Sequence, residues 1–516
     1  MGDSDARIWE EEDLLFLILG RLPAVSFASA ACVSKTWHRV CSRILSRPKL
    51  ASALSLNSSP LLALQEVLDK VLSQPIFPHF AIAHVLGDFC LAFTLQYIVG
   101  KLGSNVSVVV SRDSGIIGRD VATGEVREAK LNAEIGAYDG VNALTCNQGI
   151  VLTVGFMPGL KVDAIPLLRM PEEPAMVDKF IEDIRGCSIC FSGQPSPIAL
   201  VIFGDSRSDV KYVIDKLDYA MPAETVIVGD EKGRFLYQSA GHRGKSGERR
   251  EYFVDAIALV FARDKDKTSG AGEIKFHMAL SDSMLVLNAK YKTSSVRATD
   301  CDTWLTAKQE GQREILDGQR MLDGVNAELV DRVEYPDLYI GVTKRRRYCI
   351  RAEKPKLVTS LAFHGVLGGD EEYLYVDGVG IKTGDCFQFF YSDPVAAVRA
   401  LDGISVSLRS LDDELGSAGF PLHTRGVGAK AQKRLVFGGL IFACCGRGEP
   451  YFRQPNVDTA PFVNNFPEVP VAGVFCGGEI GRSSSCRDGL VTRSCCHVYS
   501  SVYLVMTYDI PSYIDG

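Results

Sequence analysis

Asp13-Leu14-Leu15-Phe16-Leu17-Ile18-Leu19-Gly20-Arg21-Leu22-Pro23, followed by Cys32-Val33-Ser34-Lys35-Thr36-Trp37, decides how the rest of this chain is read. Leu14, Leu15, Ile18, Leu19 and Leu22 recur at the spacing of one helical face, and Pro23 stops that helix because its ring blocks continuation. Ser26 is read as the cap of a short second helix running through Cys32 and Val33. Ser34 caps a third, whose inward face is Trp37, Val40, Cys41 and Ile44. Three short helices enclose only a small core, so some of their apolar surface is predicted to lie against a partner.

Moving outward, Asn57-Ser58-Ser59-Pro60 reads as a linker and helix start, with Leu61, Leu64, Leu68 and Leu72 on its buried face. From about Phe80 the texture changes. Val106–Val110, Ile150–Gly155, Ile198–Phe203, Thr225–Val228, Phe253–Phe261 and Ile274–Leu280 are β-branched or alternating, with a helical stretch at Asp209–Leu217. The fold class is therefore α+β: a small three-helix unit followed by a mixed α/β body. The polar run Arg263–Gly272 is its best internal boundary. No period of 20 to 50 residues recurs, which argues against a solenoid.

At 516 residues the chain has room for about three domains. With 46% hydrophobic and 23% charged residues it can fill a packed core, which excludes a fibrous or mainly disordered protein. The longest nearly uncharged apolar run, Leu435–Gly446, falls short of the roughly 20 residues a membrane span needs. Asp3, Asp5 and Glu10–Asp13 are acidic where a secretory signal is basic, so a cytoplasmic or nuclear location is expected. A net charge of -7 speaks against nucleic acid as the main partner. Fifteen cysteines, odd in number and spread through apolar segments, read as reduced core thiols.

Over residues 8 to 50 the N-terminal run resembles an F-box. The resemblance implies docking on the Skp1 adaptor of a cullin-based ubiquitin ligase through Leu14, Leu15, Ile18, Leu22, Pro23, Cys32, Val33 and Trp37. Near the other end, Leu435–Phe442 reads as a buried strand leading into Cys444-Cys445-Gly446-Arg447-Gly448-Glu449. Ala460–Phe466 has the length of a short helix, and Val469–Phe475 leads into Gly477-Gly478-Glu479-Ile480-Gly481. This order is similar to the FIST C-terminal domain, and the α/β segment before it to the FIST N-terminal half. The arrangement implied is an F-box over 5–55, a helical linker over 56–79, a FIST N-terminal domain over 80–265 and a FIST C-terminal domain over 273–510. The function implied is substrate recognition in an SCF ubiquitin ligase. The chain would direct an unnamed protein to ubiquitination and proteasomal degradation, without catalysis, cofactor or metal of its own, with small-ligand sensing in the FIST body.

Both glycine-rich turns follow apolar strands. Glycine lets backbone N–H groups face a ligand, and Arg447 and Glu479 add opposite charges. Gly446, Arg447, Gly448, Gly478, Glu479 and Gly481 are thus the candidate site for ligand or substrate. The alternative is that the glycines serve the turns and the two charges pair with each other.

Other patterns carry less. Gly241-His242-Arg243-Gly244-Lys245-Ser246 lacks the first glycine of a phosphate loop and reads as a solvated loop. Cys187-x-x-Cys190 has no second pair nearby, and Cys476, Cys486, Cys495, Cys496 and His497 lack zinc spacing. A reactive thiol at Cys444, Cys445 or Cys476 beside Arg447 supports the alternative function, a ligand sensor or Cys/His-dependent enzyme. Lys344-Arg345-Arg346-Arg347 reads as an import patch, a nucleic-acid contact or a solvated loop.

Overall fold

The computed structural model describes residues 12–131, 145–146, 148–170, 175–241, 253–267, 272–330, 332, 336–349, 354–416, 434–487 and 490–511. The N-terminal unit comprises α1 (residues 12–19), α2 (Ala24–Ala30) and α3 (Lys35–Ile44). Leu19, Phe27, Ala30, Val40, Cys41 and Ile44 form its buried core, with Leu15, Phe16, Leu22 and Trp37 packed partly over it. Ser34 caps α3 as expected: its backbone is extended and its side chain accepts from Trp37 N at 3.2 Å. The second helix differs from expectation. It begins at Ala24 with Pro23 in the capping position, because proline's fixed φ suits a helix start and its carbonyl accepts Phe27 N at 2.8 Å. Ser26 lies inside that helix, and Cys32 and Val33 lie beyond its end.

Only residues 45–48 separate α3 from the strand Lys49–Ser55, which pairs antiparallel with Gly149–Phe156 along its whole length. Ala24 N also donates to Leu72 O at 2.9 Å, tying α2 to the helix Pro60–Val71. That helix, capped by Ser59, buries Ala63, Leu64, Val67, Leu68 and Val71 against the sheet. Residues 49–72 therefore belong to the body rather than to an F-box or a linker, and Leu61 faces outward.

Two sheets share the body. In the larger, Phe80–Leu86 runs parallel to Ser107–Arg112 and Ala199–Asp205 to Val226–Gln238. Their crossovers are the helices Leu91–Leu102 and Lys211–Ala220, the connection that parallel strands require. The smaller sheet runs Glu273–Ser281, Ser501–Asp509, Arg434–Cys444, Val471–Cys476, Gly115–Arg119, Val126–Leu131 and Thr145–Cys146. Gly115–Arg119 comes from the first half of the chain yet pairs with Val471–Cys476 from the second. The core follows suit: Phe80, Val109 and Leu259 share one cluster with Leu440, Val474 and Leu504. The halves interlock, and the Arg263–Gly272 stretch is not a division between independent bodies.

Residues 285–391 form a unit the sequence did not announce. Leu285–Ala298, Asp302–Gln309, Leu374–Asp377, Lys356–Gly369, Leu338–Tyr348 and Cys386–Tyr391 pair in that order and close back on the first, making an antiparallel barrel. Leu287, Tyr291, Leu305, Ile340, Val342, Phe387 and Phe389 fill it, and the helix Gly318–Leu329 plugs it with Met321, Val325 and Leu329. Lys344–Arg347 lies within one of these strands, not in a loop.

Candidate functional site

The first candidate surface is built by α1 and α2. Leu19 points into the core, so Leu14, Leu17 and Ile18, at the i, i+3, i+4 spacing, are left on the outer face. All three are exposed, as are Val25 on α2 and Val33 in the turn before α3. The expected adaptor-facing residues thus divide. Leu14, Ile18, Pro23, Cys32 and Val33 are exposed, whereas Leu15, Leu22 and Trp37 are half-buried and hold the core together. Leu17 and Val25 complete the outer row and were missed, although helical spacing from Leu14 points to Leu17. Glu12 bridges α1 to α3 through Arg39 at 3.3 Å and Arg43 at 3.4 Å, while Arg43 lies 5.4 Å from the Phe16 ring. The apolar row therefore sits on a braced frame.

The second candidate lies where Arg434–Cys444 and Val471–Cys476 run parallel and end together. Cys445 N donates to Cys476 O at 2.8 Å, which brings the turn at Gly446–Gly448 beside the bend at Gly477–Gly478; Glu479 and Gly481, expected in a turn, begin the strand Glu479–Arg487 instead. The charged side chains there are not offered to a ligand. Arg447 is fully buried: Nε donates to Asp458 Oδ1 at 2.9 Å, Nη1 to Tyr499 O at 2.9 Å, and the guanidinium lies 5.1 Å from the Phe452 ring. Glu479 is equally buried, and its Oε2 accepts from Ser500 N at 3.1 Å and Ser500 Oγ at 2.7 Å. Arg447 and Glu479 do not pair; each has its own partners. The glycines are used by packing, since a Cβ at Gly446 would lie 2.6 Å from the Tyr499 ring and one at Gly478 2.7 Å from Glu231 Oε2. Gly448 adds a positive φ of 88°.

Burial shapes the electrostatics here. It raises the Glu479 carboxyl well above the usual carboxylate range, and together with Asp458 it pushes Glu128 up to about 8. Cys445 moves the other way, to about 6, held by a hydrogen bond from the Cys444 thiol and by the Lys130 ammonium. The cation beside the thiols is thus Lys130, whose Nζ donates to Cys445 O and, at 2.6 Å, to Arg447 O, rather than Arg447 itself.

The other motifs settle simply. Residues 242–250 of the glycine-lysine loop lie outside the described residues. Cys187 and Cys190 sit on the helix Val177–Ser192, and burial pushes the Cys187 thiol up to about 12. The described cysteines are unpaired, but Cys32, Cys90, Cys190, Cys301, Cys349 and Cys386 are exposed. Cys32, Cys90, Cys301 and Cys349 lie in turns and connections and Cys190 and Cys386 on outward positions of a helix and a strand, so among the cysteines with described side chains the expectation of core thiols holds for the buried Cys41, Cys444, Cys476 and Cys495. Among the described residues, no helix is long and apolar enough to cross a membrane.

Comparison with known proteins agrees with this geometry. Residues 12–48, spanning the three short helices, match the F-box domain, and residues 363–482 match the FIST C domain. The second match begins in the barrel and ends within the strand Glu479–Arg487. An F-box/LRR-repeat protein of Arabidopsis thaliana is 41% identical over 512 residues, covering 96% of this chain and 93% of the relative. F-box only protein 22 of Homo sapiens and of Pongo abelii are each 41% identical over 58 residues, 11% of this chain and 14% of theirs. With two residues in five shared along nearly the whole of an F-box relative, this chain belongs to the F-box proteins and joins its F-box to a FIST C domain.

Proposed function

We propose that the chain is the substrate-recognition subunit of an SCF-type ubiquitin ligase, working in the cytoplasm or nucleus. The F-box docks a Skp1-type adaptor and through it a cullin. The body, with residues 80–265 as its FIST N-terminal half, selects the protein to be ubiquitinated and degraded. The observation that carries this reading is the outward apolar row Leu14, Leu17, Ile18, Val25 and Val33 on a unit whose own core is so small. Water is a poor environment for such a row, and a partner helix bundle a good one. The chain contributes proximity rather than bond chemistry, holding a client where its lysines meet the ubiquitin-carrying enzyme. The two glycine-rich segments, with Arg447 ion-paired to Asp458 and Glu479 hydrogen-bonded by Ser500, support the frame of the body rather than its contact surface.

Replacing Leu14 and Ile18 together by glutamate tests the docking. Both are exposed, so the fold should survive with an unchanged melting temperature while co-purification of a Skp1-type adaptor is lost. Undiminished adaptor binding by the double variant would overturn the proposal.

A further inference from the structure

A cavity of about 490 Å³ lies between the outer wall of the barrel and the hairpin made by Glu479–Arg487 and Leu490–His497, within the size range of ligand sites. Strand alternation builds one wall. Along Leu338–Tyr348, Ile340 and Val342 face the barrel interior, which turns Gly341, Thr343 and Arg345 toward the cavity. Along Cys386–Tyr391, Phe387 and Phe389 belong to the interior cluster, while Cys386, Gln388 and Phe390 line the outside. The register sets Gly341 opposite Gln388 and Phe363, and Thr343 opposite Cys386 and Leu361. Asp282, Met284, Ser483, Ser494 and His497 face them.

The cavity has two unlike ends. Met284, Phe363 and Phe390 pack together with Leu361 against them, and Gly341 permits this closure, since a Cβ there would lie 2.4 Å from the Phe390 ring. The rest of the lining is charged, with Lys290 and Arg345 set beside Asp282 and Asp385. Lys344, buried in the barrel, takes up Asp385, and Asp385 also accepts Lys382 N at 2.7 Å. Asp282 accepts Met284 N at 3.4 Å, and His497 Nε2 bonds to Gly481 O at 2.7 Å. Arg345 stands exposed at the mouth, so its planar fork is presented to a carboxylate from outside. Gly341 and Arg345 are four residues apart on one strand, roughly 13 Å at about 3.3 Å per residue. That length suits several residues of an extended peptide better than one small acid.

We propose that this cavity binds a short acidic segment of the client protein, with an aromatic or large apolar side chain in the Phe363–Phe390 end and a carboxylate on Arg345. The inference rests on the receptor reading above and names the kind of segment that the receptor selects. It also gives a role to Arg345, the member of the Lys344–Arg347 run that reaches the cavity.

The test uses the full chain bound to its adaptor and a fluorescein-labelled hexapeptide carrying phenylalanine and, four positions later, glutamate in a glycine–serine background, the spacing that matches the span from Gly341 to Arg345. Fluorescence anisotropy should report saturable binding that weakens at least tenfold when the peptide's glutamate becomes glutamine. Arg345→Glu should weaken it likewise, and Cys386→Trp, which fills the cavity from an exposed position, should abolish it. Arg347→Glu, an equal change of charge two residues along the strand, should stay within twofold of the wild type. No binding to the wild type, equal effects of Arg345→Glu and Arg347→Glu, or equally tight competition by free N-acetylphenylalanine would each overturn the proposal. Adaptor co-purification is read in the same samples: retention alongside a failed peptide result refutes the cavity alone, whereas loss from the wild type would strike the receptor reading itself.

Discussion

In the F-box, apolar side chains face water: Val25 is 73% exposed and Val33 63%. At the turn Gly446–Gly448 a guanidinium is withdrawn from it, Arg447 being 0% exposed. Both regions contain residues that sequence reading singles out, and both set a residue against its usual preference. The difference lies in what satisfies them. Arg447 finds Asp458, Tyr499 and Phe452 within its own chain, which leaves only its Nη2 without a hydrogen-bond partner among the described residues. Val25 and Val33 find nothing comparable among the described residues, and the proposed adaptor contact is what would cover them. An unusual residue marks a contact surface when its partner is missing, and a frame when its partner is present.

The sharpest way to break this comparison is to remove one member of the buried pair. Arg447→Met leaves Asp458 as an uncompensated carboxylate and should cost about 3–5 kcal/mol in a denaturant melt. Adding Asp458→Leu should restore much of that loss. Adding Glu479→Gln should not, because Glu479 answers to Ser500. Rescue by the Glu479 change would mean the two turns are coupled after all.

A smaller effect comes from Glu128, whose Oε1 accepts Thr459 N at 2.8 Å. With its folded pKa raised to about 8, it keeps a proton that the unfolded chain gives up above its ordinary pKa of 4.5. Its stabilising contribution is therefore complete below that ordinary value and is lost as pH climbs through 8, at most about 1.4 kcal/mol per pH unit. Urea midpoints from pH 5 to 8.5 should fall with pH in the wild type and less steeply in Glu128→Gln. Parallel profiles would show that Glu128 titrates alike in both states.

The smallest change in stability belongs to the F-box surface. Val25→Ser and Val33→Ser should each alter the unfolding free energy by no more than about 0.5 kcal/mol while weakening adaptor binding severalfold. A melting loss comparable to that of Arg447→Met would place these valines in a core of this chain.

How much of this was legible beforehand follows physical lines. Local signals held: Ser34 caps α3, and strands at Ile150–Gly155 and Phe253–Phe261 form with boundaries extended by one or two residues. Signals that depend on distant partners did not. Asp458 lies eleven positions from Arg447, and nothing in the sequence marks it as the counter-ion in place of Glu479. The barrel escaped notice because Leu338–Tyr348 alternates only through Val342 and then turns basic, with Lys344 buried against Asp385 where a hydrophobic residue is usual. Pro23 was read as a stop and acts as a start, since a fixed φ suits either use and the following residues decide which.

The join between α3 and the first strand of the body has one further implication. Four residues, ending in a buried proline, connect a helix braced by Glu12 to a strand paired along its full length. Such a connection works as a bracket rather than a tether. On the proposed function, a receptor mounted this way would hold its client at a set distance and bearing from the adaptor, so which of the client's lysines is modified would become a matter of surveying: those on the arc that faces the ligase would be reached, and those around the far side would be out of range however tightly the client is held.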